Sequence, residues 1–114
     1  MKLLLSKKAE EDLAGIYSYL LTNAGTATAE RFRSDTERAL FLLARHPEIG
    51  PHPGWATRHR SLRFWLISRT NFVIYYEKRE NDVSVERVLD GRRDVYRIIE
   101  MGLEESQEEA GADD

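Results

Sequence analysis

The sequence predicts an α+β fold in which a helical hairpin packs on one face of an antiparallel sheet, with the element order β-α-α-β-β-β. Three observations lead to this prediction. Residues 61–94 contain three apolar, β-branched and aromatic runs separated by polar turns, residues 6–46 carry apolar side chains at helical spacing, and a short apolar run precedes them. The length of 114 residues suits one domain with a single core.

The N-terminal run Lys2–Leu5 is expected to join the sheet as a strand, and the first helix follows at once. Ser6 stands at its N-cap, where the hydroxyl accepts from a free amide of the first turn. Gly25 ends the helix, because glycine tolerates the left-handed conformation beyond a helix C-terminus. The predicted buried stripe is Ala9, Leu13, Ile16, Tyr17, Leu20 and Leu21.

A second helix is predicted from a Thr26 or Thr28 cap to about His46, where Pro47 stops it by removing a backbone donor. The linker between the helices is short, so the two helices should form an antiparallel hairpin. The expected buried face is Ala29, Phe32, Ala39, Leu40 and Leu43, widened by Phe41 and Leu42.

Three strands, Leu62–Ile67, Phe72–Glu77 and Val83–Leu89, should form an antiparallel meander, because their residues pack well on a pleated surface and their connections are short and polar. The preceding segment, Pro47–Arg60, is predicted to be a loop. Its Trp55 is expected to close one end of the core rather than to stack on a ligand.

Charge is distributed unevenly along the chain. The net charge is −3, yet residues 104–114 hold six acidic and no basic side chains, so the rest of the chain carries +3. We expect one folded domain over residues 1–103, followed by a mobile acidic tail that solubilises the protein or competes for its cations. The arginines beyond residue 57 favour an acidic partner, either nucleic acid or an acidic peptide, although a solvated sheet face explains them equally.

Several classes of site are not supported by the composition. The chain has no cysteine, which excludes a disulfide framework and a thiolate metal site. His46, His52 and His59 match no common metal signature, so no metal or other cofactor is expected. The first five residues are too short for a signal peptide's apolar region, and no run is long enough to span a bilayer. We therefore expect a soluble, cytoplasmic protein that does not bind membranes.

An ordered set of motifs resembles the ParE/RelE superfamily of bacterial toxins from type II toxin–antitoxin modules. The set consists of P-E-I-G at 47–50, N-F-V-I-Y-Y at 71–76 and R-V-L-D-G-R-R-D at 87–94. The resemblance extends from Lys2 to about Leu103 and is closer to ParE than to RelE. It implies a toxin that binds its target, DNA gyrase for ParE proteins, and that a cognate antitoxin neutralises in a hetero-oligomer.

The resemblance also leaves two alternatives. RelE-like proteins cut messenger RNA in the ribosome, which requires an acid, a base and cations. Phe72 and Asp90 stand where such nucleases commonly have Arg and His, whereas Arg92, Arg93 and Tyr96 match the ending of some of them. Whether the chain is an enzyme is therefore left open, and these residues favour a protein without enzyme activity. The other alternative is a non-toxic module that only binds an antitoxin.

Two sets of binding residues are predicted. Cations at strand ends should contact the target, and these are Arg69, Arg87, Arg92 and Arg93. A groove between the helical hairpin and the sheet should bind an amphipathic antitoxin segment, with apolar anchors beside Tyr17, Leu21 and Phe64 and acidic groups facing Arg60 and Arg63.

Overall fold

A computed structural model of the chain describes residues 1–102 and confirms the predicted α+β architecture. The elements are β1 Lys2–Leu5, α1 Lys7–Ala24, α2 Thr26–Arg45, β2 Leu62–Leu66, β3 Phe72–Lys78, β4 Asp82–Asp90 and a π-helical turn Tyr96–Glu100. Each predicted strand of the meander agrees with the structure to within one residue at either end. The π-helical turn follows β4 at the end of the described chain, and the expected acidic tail lies outside the described residues.

The four strands form one sheet in the order β1-β4-β3-β2. Strands β2, β3 and β4 are antiparallel neighbours, as predicted for a meander. The sheet is mixed, however, because β1 pairs in parallel with β4, with Lys2 opposite Asp82 and Leu5 opposite Val85. The expectation of a wholly antiparallel sheet was wrong for β1. The helical hairpin returns the chain to the end of the sheet at which β1 began, and the meander that follows therefore runs β4 in the same direction as β1.

The junction between β1 and α1 is fixed by Ser6. Its hydroxyl accepts a hydrogen bond from the Ala9 amide at 3.0 Å, as predicted for an N-cap, and donates one to the Glu86 carbonyl at 2.7 Å. The Ser6 amide also donates to the Val85 carbonyl at 2.9 Å. One residue therefore caps the helix and attaches its N-terminus to β4.

Gly25 joins the two helices with a φ of 95°, a conformation that glycine adopts without the strain of a Cβ. It also stands at the N-cap of α2, and neither Thr26 nor Thr28 caps that helix as predicted. The expected buried face is largely correct, but Phe41 points to solvent and is 64% exposed. The Phe41 ring instead lies beneath the Arg45 guanidinium, whose Cζ atom is 5.6 Å from the centroid of the ring.

The main core lies between the helical hairpin and one face of the sheet. Its fully buried sheet residues include Ile74 and Tyr76 of β3 and Val85 and Val88 of β4. A bulge between Tyr75 and Tyr76 shifts the register of β4, so that Val85 and Val88 face the same side although they are three residues apart. This bulge allows β4 to keep an apolar face towards the helices.

A second, smaller core covers the opposite face of the sheet. Tyr75 and Leu89 are buried there beneath Ala56 of the loop and Ile98 of the π-helical turn. Trp55 packs against Tyr75 with ring centroids 6.0 Å apart, in agreement with the prediction that it closes one end of a core. The buried residues of this second core are Ala56, Leu62, Tyr75, Leu89 and Ile98.

Glu100 attaches the π-helical turn to the loop before β2. Its buried carboxylate accepts hydrogen bonds from the Thr57 hydroxyl, the Arg58 amide and the His59 ring. Burial alone raises the pKa of this carboxyl, but the three donors favour the charged form more strongly and leave the pKa below its ordinary value. The turn is therefore held by a charged group as well as by Ile98.

The P-E-I-G segment of the loop is fixed to the sheet through Tyr76. The Tyr76 hydroxyl accepts from the Gly50 amide and donates to the Pro47 carbonyl, both at 2.9 Å. Arg63 donates to the Gly50 carbonyl at 2.6 Å and to the Glu48 carbonyl at 3.0 Å. A Cβ at Gly50 would stand 2.4 Å from the Phe64 carbonyl oxygen, so only glycine permits this approach. Within residues 1–102, no helix is long and apolar enough to cross a membrane.

Candidate binding cleft

A continuous cleft runs along the end of the sheet where β4 finishes and β3 begins. It consists of two adjoining depressions of about 520 Å³ and about 260 Å³, which share Tyr19, Phe72 and Arg92 in their walls. The first depression lies between α1 and the end of β4, and the second lies between α1, α2 and the turn that precedes β3. The cleft therefore brings together residues that are distant in sequence.

The floor of the cleft is apolar. Phe72 packs edge-on against Phe32 of α2, with ring centroids 5.4 Å apart and planes at 71°. Ile16 and Leu20 of α1 contribute further apolar surface. Tyr19 is 62% exposed at the boundary of the two depressions, a large fraction for an aromatic side chain. The cleft thus presents aromatic surface on both sides of its centre.

Arg92 stands at the rim in a fork with Asp90. Its Nε and Nη2 atoms donate to the two Asp90 carboxylate oxygens at 3.0 and 2.6 Å, and its backbone amide donates to Asp90 at 2.9 Å. These hydrogen bonds hold the pKa of the Asp90 carboxyl below its ordinary value. The Arg92 side chain is nevertheless 72% exposed, so one face of the guanidinium meets solvent.

Arg69 is the corresponding cation of the second depression. It occupies the turn between β2 and β3 with a φ of 62°, which is unusual for a residue other than glycine. Its Nη2 atom donates to both oxygens of the buried Asp35 carboxylate at 2.8 and 3.1 Å, and Arg38 donates to the same carboxylate at 2.9 Å. The bonds from Arg69, and then from Arg38, lower the pKa of Asp35.

Of the other two arginines predicted to contact the target, one lines the cleft and one does not. Arg93 lines the cleft beside Arg92. Arg87 does not line it. The Arg87 guanidinium instead forms a fork with Asp12 of α1 at 2.8 and 3.0 Å, and the same carboxylate accepts from the Val88 amide at 2.9 Å. The Arg87 side chain is only 18% exposed, so it joins α1 to β4 and does not project from a strand end as predicted.

The residues that suggested RNA cleavage are separated by the fold. Arg92 and Arg93 lie at the cleft, whereas Tyr96 packs edge-on against Trp55 at 6.2 Å, next to the second core. Phe72 and Asp90 are direct partners across β3 and β4. No histidine contributes to the described lining of the cleft, and within residues 1–102 no group of three or more metal-ligating side chains is found.

The family of the chain follows from comparison with known proteins. Residues 3–95 match the model of the family described as the ParE toxin of the type II toxin–antitoxin system, parDE. The chain belongs to the ParE toxin family. This assignment confirms the resemblance seen in the motifs and its position on the ParE side of the superfamily.

A solved structure has a fold similar to that of this ParE family member. The structure, described as a chromosomal ParDE TA system from P. aeruginosa, aligns with a TM-score of 0.64 at 19% identity. The alignment covers 77% of this chain and 92% of the other chain. No curated protein sequence matches the chain significantly. At this identity the likeness is evidence of the fold.

The predicted antitoxin contacts do not form one groove in the structure. Tyr17 and Leu21 lie on α1, whereas Phe64 packs into the second core on the opposite face of the sheet. Arg63 is bound to the P-E-I-G segment, and Arg60 lies in the loop before β2. The space between hairpin and sheet is filled by the main core, so a partner cannot enter there without unfolding it.

An apolar groove does exist between α1 and α2, and Tyr17 belongs to it. Its volume is about 270 Å³, and its wall includes Leu13, Phe32 and Leu40 with Arg33 and Glu37 at the margin. The Tyr17 hydroxyl donates to the Glu30 carboxylate, which also binds Arg33 at 2.6 Å. The bond to Glu30 raises the pKa of Tyr17.

Sequence reasoning missed Asp35 and Asp90, the two carboxylates that form ion pairs with arginines of the cleft. The apolar periodicity of α2 does not mark Asp35 as buried, and the comparison of motifs marks Asp90 only as a replacement for His. The spacing of Asp90 and Arg92 could have indicated their contact, because an Asp side chain in a turn commonly accepts a hydrogen bond from the backbone amide two residues later. The contact between Asp35 and Arg69 spans 34 residues and has no comparable local signal.

Proposed function

We propose that the chain is the toxin of a type II toxin–antitoxin pair and that it acts by binding its target at the cleft rather than by cutting RNA. The observation that carries this proposal is the arrangement of Phe72 opposite Asp90, with the Asp90 carboxylate committed to Arg92. A carboxylate held in a fork with a lowered pKa is a poor proton acceptor at neutral pH. Membership of the ParE family supports the assignment as a toxin.

DNA gyrase is the proposed target. The resemblance to ParE proteins implies it, and the cleft offers what a protein target requires: aromatic surface from the exposed Tyr19 and the half-buried Phe72, with Arg69, Arg92 and Arg93 at the rim. Interfaces between proteins gain most of their affinity from such aromatic and arginine positions. Arg87 is excluded from the proposed contact, because Asp12 already occupies its guanidinium.

The proposed antitoxin site is the groove between α1 and α2. Its wall is almost wholly apolar and contains Tyr17, which the sequence also predicted, together with Leu13 and Leu40. An amphipathic helix that places aliphatic side chains at helical spacing suits a groove of this kind. The solved structure described as a ParDE toxin–antitoxin system supports a cognate antitoxin as the partner.

Expression of the chain in a bacterial host, with and without the short protein encoded beside it, tests this proposal. We expect growth arrest by the chain alone, rescue by the neighbouring protein, and no new 5′ ends in the messenger RNA of arrested cells. Arg92→Ala should relieve the arrest, whereas Arg97→Ala, an exposed arginine outside the cleft, should not.

Two results would contradict the proposal. New messenger ends that disappear with Arg92→Ala would establish a RelE-like ribosome-dependent nuclease. Full growth despite normal expression and tight binding of the neighbouring protein would establish a non-toxic antitoxin-binding module.

A further inference from the structure

We propose that Asp90 and Asp35 determine the specificity of the cleft: by holding Arg92 and Arg69 in ion pairs they make it reject nucleic acid and accept a protein segment with an apolar side chain. The inference rests on the proposed function, because it assumes that the cleft meets the target. It concerns the chemistry of that contact, which neither the family nor the similar structure specifies.

The arginines and the carboxylates that line the cleft are equal in number. Four arginines and four carboxylates line its two depressions, namely Arg31, Arg69, Arg92 and Arg93 with Glu11, Asp12, Asp35 and Asp90. Nucleic acids bind to proteins chiefly because unpaired cations replace the counterions of phosphates. Asp90 pairs with Arg92 and Asp35 pairs with Arg69, so these two cations gain little from this exchange and the affinity of the cleft for a phosphate backbone should be low.

Geometry strengthens this conclusion at the two forks. A phosphate binds arginine best through two parallel N–H donors. In Arg92 the Nε and Nη2 donors are both used by Asp90, at 3.0 and 2.6 Å. In Arg69 the Nη2 donor is shared between both oxygens of Asp35, at 2.8 and 3.1 Å. A phosphate would therefore have to displace Asp90 to use this donor pair of Arg92, and it would have to share the Arg69 guanidinium with Asp35.

The apolar floor suggests what the cleft accepts instead. Tyr19 and Phe72 form its centre, and the half-buried Ile16 lies beside them. Arg31 is exposed at one margin and has no ion pair within residues 1–102. A segment with one large apolar side chain and one carboxylate matches this surface, because the side chain covers the floor and the carboxylate pairs with Arg31.

Binding of a fluorescein-labelled oligouridylate to the purified full-length chain tests the exclusion of nucleic acid. Asp90→Asn removes the charge and keeps an oxygen for the Arg92 amide, so the turn should survive. We expect Asp90→Asn to tighten binding by about threefold or more at low salt and to steepen the salt dependence by about 0.7, the value of one added contact to single-stranded nucleic acid. Asp35→Asn should act in the same direction through Arg69.

Matched variants separate a specific fork from net charge. Asp90→Asn combined with Arg92→Ala should return to the wild-type affinity, because the released cation is gone. Glu11→Gln removes an exposed carboxylate of the same cleft that has no ion pair in the described part of the chain, and it should change affinity less than Asp90→Asn. Equal gains for Asp90→Asn and Glu11→Gln, or tight binding by the wild type, would overturn the exclusion of nucleic acid.

A peptide probe tests the second half of the inference. A short Gly-Ser peptide with a central Phe followed by Glu should shift the NMR signals of Tyr19, Arg31 and Phe72, and the same peptide with Gly in place of Phe should not. Equal responses to both peptides, or none, would refute recognition of an apolar anchor. These measurements use neither growth nor gyrase, so their failure is distinct from failure of the proposed function.

Discussion

Replacement of Tyr76 by phenylalanine isolates the contribution of one hydroxyl that joins the loop to the sheet. The Tyr76 side chain is fully buried, and its hydroxyl is the partner of the Gly50 amide and the Pro47 carbonyl, each at 2.9 Å. Tyr76→Phe keeps the ring in the core but leaves both backbone groups without this partner. The change therefore tests hydrogen bonding with almost no change in packing.

The expected cost follows from the burial of the two orphaned groups. A buried donor or acceptor left without a partner costs about 1–3 kcal/mol. The bond to Gly50 is buried, whereas the bond to Pro47 is only partly buried and water can replace it in part. We expect Tyr76→Phe to lower the free energy of unfolding by about 2–3 kcal/mol, which corresponds to a melting temperature lower by about 10 °C.

Tyr75→Phe provides the matched control for this measurement. Tyr75 is the adjacent residue and is also buried, but it faces the second core and its hydroxyl has no hydrogen bond within residues 1–102. Urea unfolding of both variants should show a loss for Tyr76→Phe and a change of less than about 0.5 kcal/mol for Tyr75→Phe. Equal losses would refute the reasoning, because they would assign the effect to the ring environment rather than to the bonds.

Three further predictions concern stability. Gly50→Ala should cost about 3 kcal/mol, because the new Cβ would meet the Phe64 carbonyl at 2.4 Å, while Gly54→Ala, with open space around its Cβ, should be neutral in the same urea titration. Asp12→Ala should cost about 2–3 kcal/mol, because it removes the carboxylate that bonds the Arg87 guanidinium and the Val88 amide of β4, and an unchanged urea midpoint would contradict the role of this pair. The lowered pKa of Asp35 means that its charged form stabilises the fold above about pH 4 and that this contribution is lost as pH falls further. The stability difference between wild type and Asp35→Asn should therefore shrink on acidification, and a pH-independent difference would refute the linkage.

The elements that the sequence predicts well are those fixed by local chemistry. The Ser6 cap, the Gly25 break and the ends of the three strands all depend on neighbouring residues, and the structure has them where they were expected. The Thr26 and Thr28 caps failed because Gly25 itself takes the N-cap position, leaving too little linker for a threonine to precede the helix.

Features set by long-range contacts could not be predicted. The parallel pairing of β1 joins residues about 80 apart, and the bulge opposite Tyr75 leaves no mark in the alternation of β3. A simple alternation of β4 would place Arg87 and Val85 on one face, yet the bulge separates them and Asp12 captures the guanidinium. The second core was missed because its cover comes from a loop and a single π-helical turn.

In the candidate site, too, the features set by local sequence were predicted and those set by long-range contacts were not. Arg69, Arg92 and Arg93 were predicted as a cation set from their positions at strand ends, and the structure brings them to the rim of the cleft. Whether they contact a target stays a prediction. The pairing of Arg69 with Asp35 depends on how α2 lies against the turn before β3, and periodicity cannot supply that distance.

Inhibition of DNA supercoiling by the purified chain tests the central claim most directly. Gyrase, relaxed plasmid and ATP are incubated with increasing amounts of the chain, and the supercoiled fraction is measured on a gel. The account predicts loss of supercoiling that the neighbouring protein reverses and that Arg92→Ala weakens, while ribosomes programmed with messenger yield no cleavage by the same preparation. Unimpaired supercoiling together with ribosome-dependent cleavage would contradict it.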